Sequence, residues 1–146
     1  MIPHIYNMDI RKLEKNDYNK KFNDLLSQLT ESPNITQQEF ENQFSNLSEN
    51  DLHLVIEKNN RIIAYGNLIV DFKFYRKCKN IGHIEDIVVD KNERGKGISK
   101  IVLNKLIEYG LEKNCYKFIL NCNDKYINFY KNFGFENNGH NMIKYI

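Results

Sequence analysis

Apolar positions divide this chain into runs of two periods. From Leu52 to Phe72, two β-rich runs flank Asn59 and Asn60. Asparagine tolerates positive φ, so the pattern predicts a hairpin closed by a tight turn. The run from Gly82 to Asp90, "GHIEDIVVD", predicts the next strand. The period then changes: Ile98, Val102, Leu103, Leu106, Ile107 and Leu111 recur at helical spacing, predicting a helix from Ile98 to about Lys113. "YKFILNC" predicts another strand, and "DKYINFYKNFGF" a short helix ended by Gly134, a residue suited to a left-handed cap. "NMIKYI" predicts a closing strand.

Upstream, "IYNMDIRKL" predicts a first strand. Asp17 is expected to cap a helix whose apolar face holds Phe22, Leu25, Leu26 and Leu29. "TESPN" breaks it. Thr36 and Glu39 then form a capping box before Phe40, Phe44 and Leu47. The basic, aromatic "FKFYRKCKN" is expected to leave the sheet. The order β-α-α-β-β-β-α-β-α-β predicts a single α+β domain over residues 1–146, built on a mixed, mostly antiparallel sheet.

Charge and cysteine content narrow the function classes. A net charge of +2 is too weak to argue for nucleic acid, so any basic site must be local. The three cysteines, Cys78, Cys115 and Cys122, are odd in number and fit no zinc spacing. No metal is expected. The N-terminus lacks the apolar core of a signal peptide, and no run approaches the ~18 apolar residues of a membrane span. A reducing, cytoplasmic setting is expected.

The chemistry concentrates where the predicted strand meets the predicted helix, at Arg94-Gly95-Lys96-Gly97-Ile98-Ser99. A turn feeding a helix N-terminus offers unpaired N–H groups and a partial positive charge, and glycines let an anion approach. The alternative is a solvated basic turn. The spacing fits neither the Walker A loop nor the dinucleotide fingerprint.

In context, the strand, Arg-Gly-x-Gly-x-Ser and the helix resemble the acetyl-CoA site of the GCN5-related N-acetyltransferases. That family's pattern is Gln/Arg-x-x-Gly-x-Gly/Ala; Arg94, Gly97 and Ser99 fill it, with serine in the small-residue slot. Five blocks in order are similar to the branch of that family that acetylates glucosamine 6-phosphate on the route to UDP-N-acetylglucosamine. They are "RKLEKNDYNKKFNDLLSQLT", "FKFYRKCKNIGHIED", "GHIEDIVVDKNERGKGISK", "NCYKFILNC" and "NFYKNFGF". The resemblance implies an open sheet with helices on both faces and strands splayed at the cofactor site. It also implies acetyl-CoA as co-substrate, direct attack by the amine in a ternary complex, and a homodimer whose C-terminal strand packs on the partner.

Acetyl transfer needs a held thioester, a deprotonated amine and a protonated leaving thiolate. By resemblance, the cofactor is held by Ile87, Val88, Val89, the turn Arg94, Gly95, Lys96, Gly97, Ile98 and Ser99, and Asn128 and Tyr130. Glu85 and Asp86 lie in a strand, where their side chains should point to opposite faces; serving one site together would require local distortion. The resemblance makes Glu85 the base and leaves Asp86 to fix the strand or the acceptor. Tyr130 is implied as the donor to the thiolate. Asn121 stands where relatives carry a carboxylate, and an amide can position an amine but not take its proton. Lys73, Arg76 and Lys117 are candidate phosphate ligands, and Tyr116 and Thr30 match acceptor contacts of that branch. Other acceptors (a second small amine or a protein amine) and a non-catalytic acetyl-CoA-binding module remain as alternatives.

Overall fold

The computed structural model describes residues 7–146. Five strands form one sheet in the order β1-β2-β3-β4-β5. They are β1 (Met8–Lys12), β2 (Leu52–Lys58), β3 (Arg61–Asp71), β4 (Asn80–Val89) and β5 (Cys115–Ile119). Neighbours from β1 to β4 run antiparallel, whereas β4 and β5 are parallel. A parallel pair needs a crossover, supplied by α4 (Ile98–Glu112). The β2–β3 hairpin turns at Asn59 and Asn60, with φ of 52° and 58°.

Alternation along the strands buries both faces. Leu54, Ile56, Ile63, Ala64, Leu68 and Ile84 pack beneath Val102, Leu103 and Leu106 of α4. This contact is close: a Cβ on Gly66 would lie 2.7 Å from Val102, so only glycine lets the helix sit there. On the other face Val55, Ile62, Tyr65 and Val88 meet Phe22 and Leu25 of α1 (Phe22–Leu26) and Phe40 of α2 (Gln37–Ser45). The Thr36–Glu39 capping box opens α2 as expected, and the short α3 (Tyr75–Cys78) lies between β3 and β4.

Three expectations are corrected. Asp17 does not cap α1, whose N-cap is Lys21 in the left-handed region. Asp17 sits instead in a 3-10 turn with its side chain fully buried, accepting both terminal nitrogens of Arg11 at 2.8 Å and the backbone N–H of Glu14. Leu111 turns to solvent at 61% exposure, because in the last turn of α4 it is Gly110 that faces the sheet, where a Cβ would run into the Phe118 ring. Residues 141–146 form no strand, having no ladder partner among the described residues, and Met142, Ile143, Tyr145 and Ile146 are exposed. Ile5 and Tyr6 of the expected first strand lie outside the described residues. Among the described residues no helix is long and apolar enough to cross a membrane.

Arg11 also holds Glu57 of β2, which Lys20 contacts at 2.8 Å. Removing the guanidinium would leave buried Asp17 with only Lys20, at 3.8 Å, as a cationic partner. Arg11→Leu is therefore expected to destabilise the fold by about 3 kcal/mol, read from the urea midpoint. Burial alone would raise the Asp17 pKa, but hydrogen bonds from Arg11 and Glu14 and the nearby charges bring it below 3.8. This contribution is complete above the unfolded value and is lost as pH falls through the lowered one.

Two features place the site. Pairing of β4 with β5 runs from Asn80↔Cys115 to His83↔Ile119 and stops. Beyond His83 the strands diverge, because the chain leaves β5 through Leu120–Asn123 toward a 3-10 turn and α5 (Ile127–Lys131). The β4 edge from Ile84 onward therefore carries no β5 ladder.

Candidate active site

The second feature is a bulge. Tyr65 opposes Val88 and Asn67 opposes Glu85, so two steps on β3 span three on β4. The extra residue is Asp86, at φ 55°. Aspartate visits the left-handed region more readily than most residues, and bulges re-aim side chains. Asn67 Nδ2 donates to Asp86 Oδ2 at 3.1 Å and is itself the register partner of Glu85. Both acids consequently line one cavity of about 1060 Å³ between the splayed strands. The opposite-face expectation holds only for a regular strand.

The same cavity is lined by Ile87, Val88 and Val89 of β4, and by Arg94, Gly95, Gly97, Ile98 and Ser99 of the turn. Thr30, Asn121 and Tyr130 also border it. Gly95 and Gly97 have φ of 77° and 79°, and a Cβ on either would meet nothing within 4 Å. The turn therefore needs glycine for its backbone path and leaves open space in front of α4. That helix starts without a capping side chain, and its first in-helix bond is Ile101 N–H to Gly97 O. Preceding N–H groups and the positive helix end face outward, as an anion requires. Arg94 is anchored by its Nε on Val89 O at 3.0 Å.

Electrostatics separate two of the titratable groups. Burial, then the neighbouring Asp86, push the Glu85 pKa above the usual glutamate value against an opposing pull from His83. Burial also raises the Tyr130 phenol, reinforced by Cys122 and Tyr126. The Tyr130 ring is fixed edge-on by Phe129 and Phe135, at centroid distances of 5.0 and 5.8 Å. A carboxyl poised to take a proton and a phenol that keeps its own thus share one cleft.

Six expected residues lie outside the cavity lining. Lys96 pairs with Glu93 at 2.7 Å, and Asn128 is exposed on α5. Lys73, Arg76, Tyr116 and Lys117 gather near the paired end of β4 and β5. There Lys73 binds Asp71 at 2.6 Å, while Arg76 and Lys117 stand 4.7 and 5.6 Å from the Tyr116 ring centre. In return, the cavity recruits Gln28, Cys122, Lys100 and Lys125. Lys100 was readable as a further cation in the first turn of α4. Gln28 left no local signal: it bridges the Lys91 N–H and buried Asp90 across 63 and 62 residues.

The model of the acetyltransferase (GNAT) family matches residues 8–135. The chain belongs to the GNAT family. In GNAT terms, the arrangement is an open sheet with its cleft at the splay of β4 and β5. A relative from Arabidopsis thaliana named glucosamine 6-phosphate N-acetyltransferase is 39% identical over 141 residues, covering 93% of this chain and 95% of the relative. The crystal structure of glucosamine-6-phosphate N-acetyltransferase from that plant superposes with a TM-score of 0.90 at 38% identity, covering 94% of this chain and 97% of the other. A predicted acetyltransferase from Clostridium acetobutylicum, solved with acetyl-CoA, gives a TM-score of 0.72 at 26% identity, covering 94% and 96% of the two chains.

Proposed function

We propose that this GNAT enzyme moves the acetyl group of acetyl-CoA to the amine of glucosamine 6-phosphate, giving N-acetylglucosamine 6-phosphate and CoA. The observation that carries the reading is the shared cavity: an anion-ready turn, an unpaired strand edge, two acids and a half-buried phenol border one space. The relatives' printed activity supplies the acceptor.

In this reading the turn at Arg94–Ser99 receives the pyrophosphate. The free β4 edge at Ile87, Val88 and Val89 pairs with the amide groups of the pantetheine arm. Asn128 is assigned a cofactor contact from the flank of α5. Glu85 takes the proton of the ammonium, Asp86 and Thr30 orient the acceptor, and Asn121 hydrogen-bonds the amine. The amine attacks the thioester carbonyl and the N–C bond forms; the C–S bond breaks, the thiolate takes the Tyr130 proton, and the second nitrogen proton, shed as the amide forms, restores the phenol.

The test is thiol release from acetyl-CoA with glucosamine 6-phosphate, run beside glucosamine, a polyamine and a peptide amine. Release with the phosphosugar alone is expected. Release only with another amine overturns the acceptor, and no release with acetyl-CoA bound overturns the activity.

The same reading makes the molecule a homodimer. The outer edge of β5 is unpaired in the sheet, Phe72 and Phe74 are exposed, and so are the apolar residues of 141–146. Lys73, Arg76, Tyr116 and Lys117 would meet a phosphosugar across that interface. Sedimentation should give a dimer, and Lys117→Ala should raise the KM for the phosphosugar about tenfold, ~1.4 kcal/mol, while sparing acetyl-CoA. A monomer, or an unchanged KM, would reject this assignment.

Gly97→Ala tests the turn. Its Cβ strains the backbone by ~1 kcal/mol and projects into the anion's space. The KM for acetyl-CoA should rise about tenfold with a small fall in Tm; an unchanged KM would move the pyrophosphate elsewhere.

A further inference from the structure

We propose that Asn67 is a positioning residue for acetyl transfer, holding Asp86 toward the acceptor through a hydrogen-bond chain that crosses three strands to His53. The proposal rests on the reading above.

Asn67 is 3% exposed and shares its sheet face with Tyr65, Val55 and Val88. An apolar side chain would pack there without needing any partner, and a buried amide is costly unless bonded. Its bonds are specific. Nδ2 donates to Asp86 Oδ2 and to Tyr65 Oη, both at 3.1 Å, and Tyr65 Oη lies 2.7 Å from His53 Nδ1. None of Asn67, Tyr65 and His53 lines the cavity; only Asp86 does.

Donor counting fixes the direction of the chain. A carboxylate only accepts, so the Asn67 amide must turn its nitrogen toward Asp86. The second N–H then points at the phenol oxygen. The phenol proton is left for His53 Nδ1, which places the imidazole proton on Nε2. Burial lowers the His53 pKa, in keeping with a neutral ring that accepts. That buried Nε2 has no partner among the described residues, so the chain ends there. Register aligns the parts: His53 opposes Asn67 on one side, and Asn67 opposes Glu85 on the other.

The chain's terminus is the one residue of β4 in the left-handed region. A strained backbone persists where surrounding contacts over-determine it. Asn67 supplies such a contact, and it orients an acid that faces the cavity beside Glu85. The acid so placed suits pairing with the cationic amine before deprotonation, so loss of its orientation should weaken acceptor binding first.

The experiment is a double-mutant cycle of Asn67→Leu and Asp86→Asn, with KM and kcat measured separately for both substrates. Asn67→Leu should raise the KM for glucosamine 6-phosphate about tenfold and change that for acetyl-CoA less than about twofold. On the Asp86→Asn background it should add less than about twofold. Equal losses on both backgrounds, or an unchanged phosphosugar KM, would overturn the proposal. If Asn67→Leu fails to fold, Tyr65→Phe loosens Asn67 while keeping its bond to Asp86; a few-fold KM rise is expected and none would overturn it. The 15N shifts of His53 give a readout independent of turnover: a proton on Nε2 supports the chain, and one on Nδ1 overturns it. A wild type active only on another amine defeats the acceptor assignment alone, since the imidazole readout still judges the wiring.

Discussion

Replacing Glu85 with glutamine is expected to lower kcat/KM for glucosamine 6-phosphate about a hundredfold, the scale of a lost general base. Glutamine keeps the size of the side chain and removes only the ability to accept a proton at neutral pH. The pH profile makes the test sharper. A base works deprotonated, so activity should rise as pH climbs through the Glu85 pKa. Burial and Asp86 hold that pKa above 4.5, placing the acidic limb higher than an ordinary glutamate would. In Glu85→Gln this limb should disappear. Stability gives a control of opposite sign. A carboxyl with a raised folded pKa stabilises the fold below its unfolded value, and that contribution is lost as pH rises through the folded one. Glu85→Gln should therefore melt no lower than wild type near neutrality. A full limb in the variant would pass the proton to another group, with Asp86 first in line by position.

Tyr130→Phe is expected to lower kcat about tenfold or more, as befits loss of a general acid, with acetyl-CoA affinity unchanged. The affinity should hold because packing against Phe129 and Phe135 depends on the ring and not on the hydroxyl. Burial raises the phenol pKa, so wild-type Tyr130 stays protonated through neutral pH. Its contribution should fade only as pH rises through the raised value, and the variant should lack that alkaline fall. Steady-state thiol release across pH measures both. Unchanged turnover would reduce Tyr130 to a packing residue.

The parts legible in the sequence were those encoded locally. The strand, glycine turn and helix from Ile84 to Leu103 follow from a change of hydrophobic period around two glycines. The Asn59-Asn60 hairpin and the Thr36–Glu39 box are likewise short-range patterns. What was missed depends on partners that only the folded chain brings together. Asp17 has the composition of a cap, but Arg11 recruits it as the buried half of an ion pair. The terminal apolar segment looked like a strand, and strand formation needs a ladder that the described residues do not supply. Lys117 is four residues before Asn121 in sequence, yet its partner Ile81 precedes Glu85 by four positions on β4. At a rise of ~3.3 Å per residue this separates it from the acid by about 13 Å. Asp86 left a faint trace, since Ile84 and Ile87 face the same helix at an odd spacing.

That spacing has an evolutionary corollary. Omitting Asp86 would restore strict alternation, with Ile84, Ile87 and Val89 still beneath α4 and Val88 still on the opposite face. The hydrophobic code of the sheet is indifferent to this residue. An ancestral strand could have gained its second acid by inserting a single codon, without renegotiating the core. Lineages built on the same scaffold are equally free to lose it by deletion and keep the fold, so the length of this strand, as much as its composition, records which chemistry it serves.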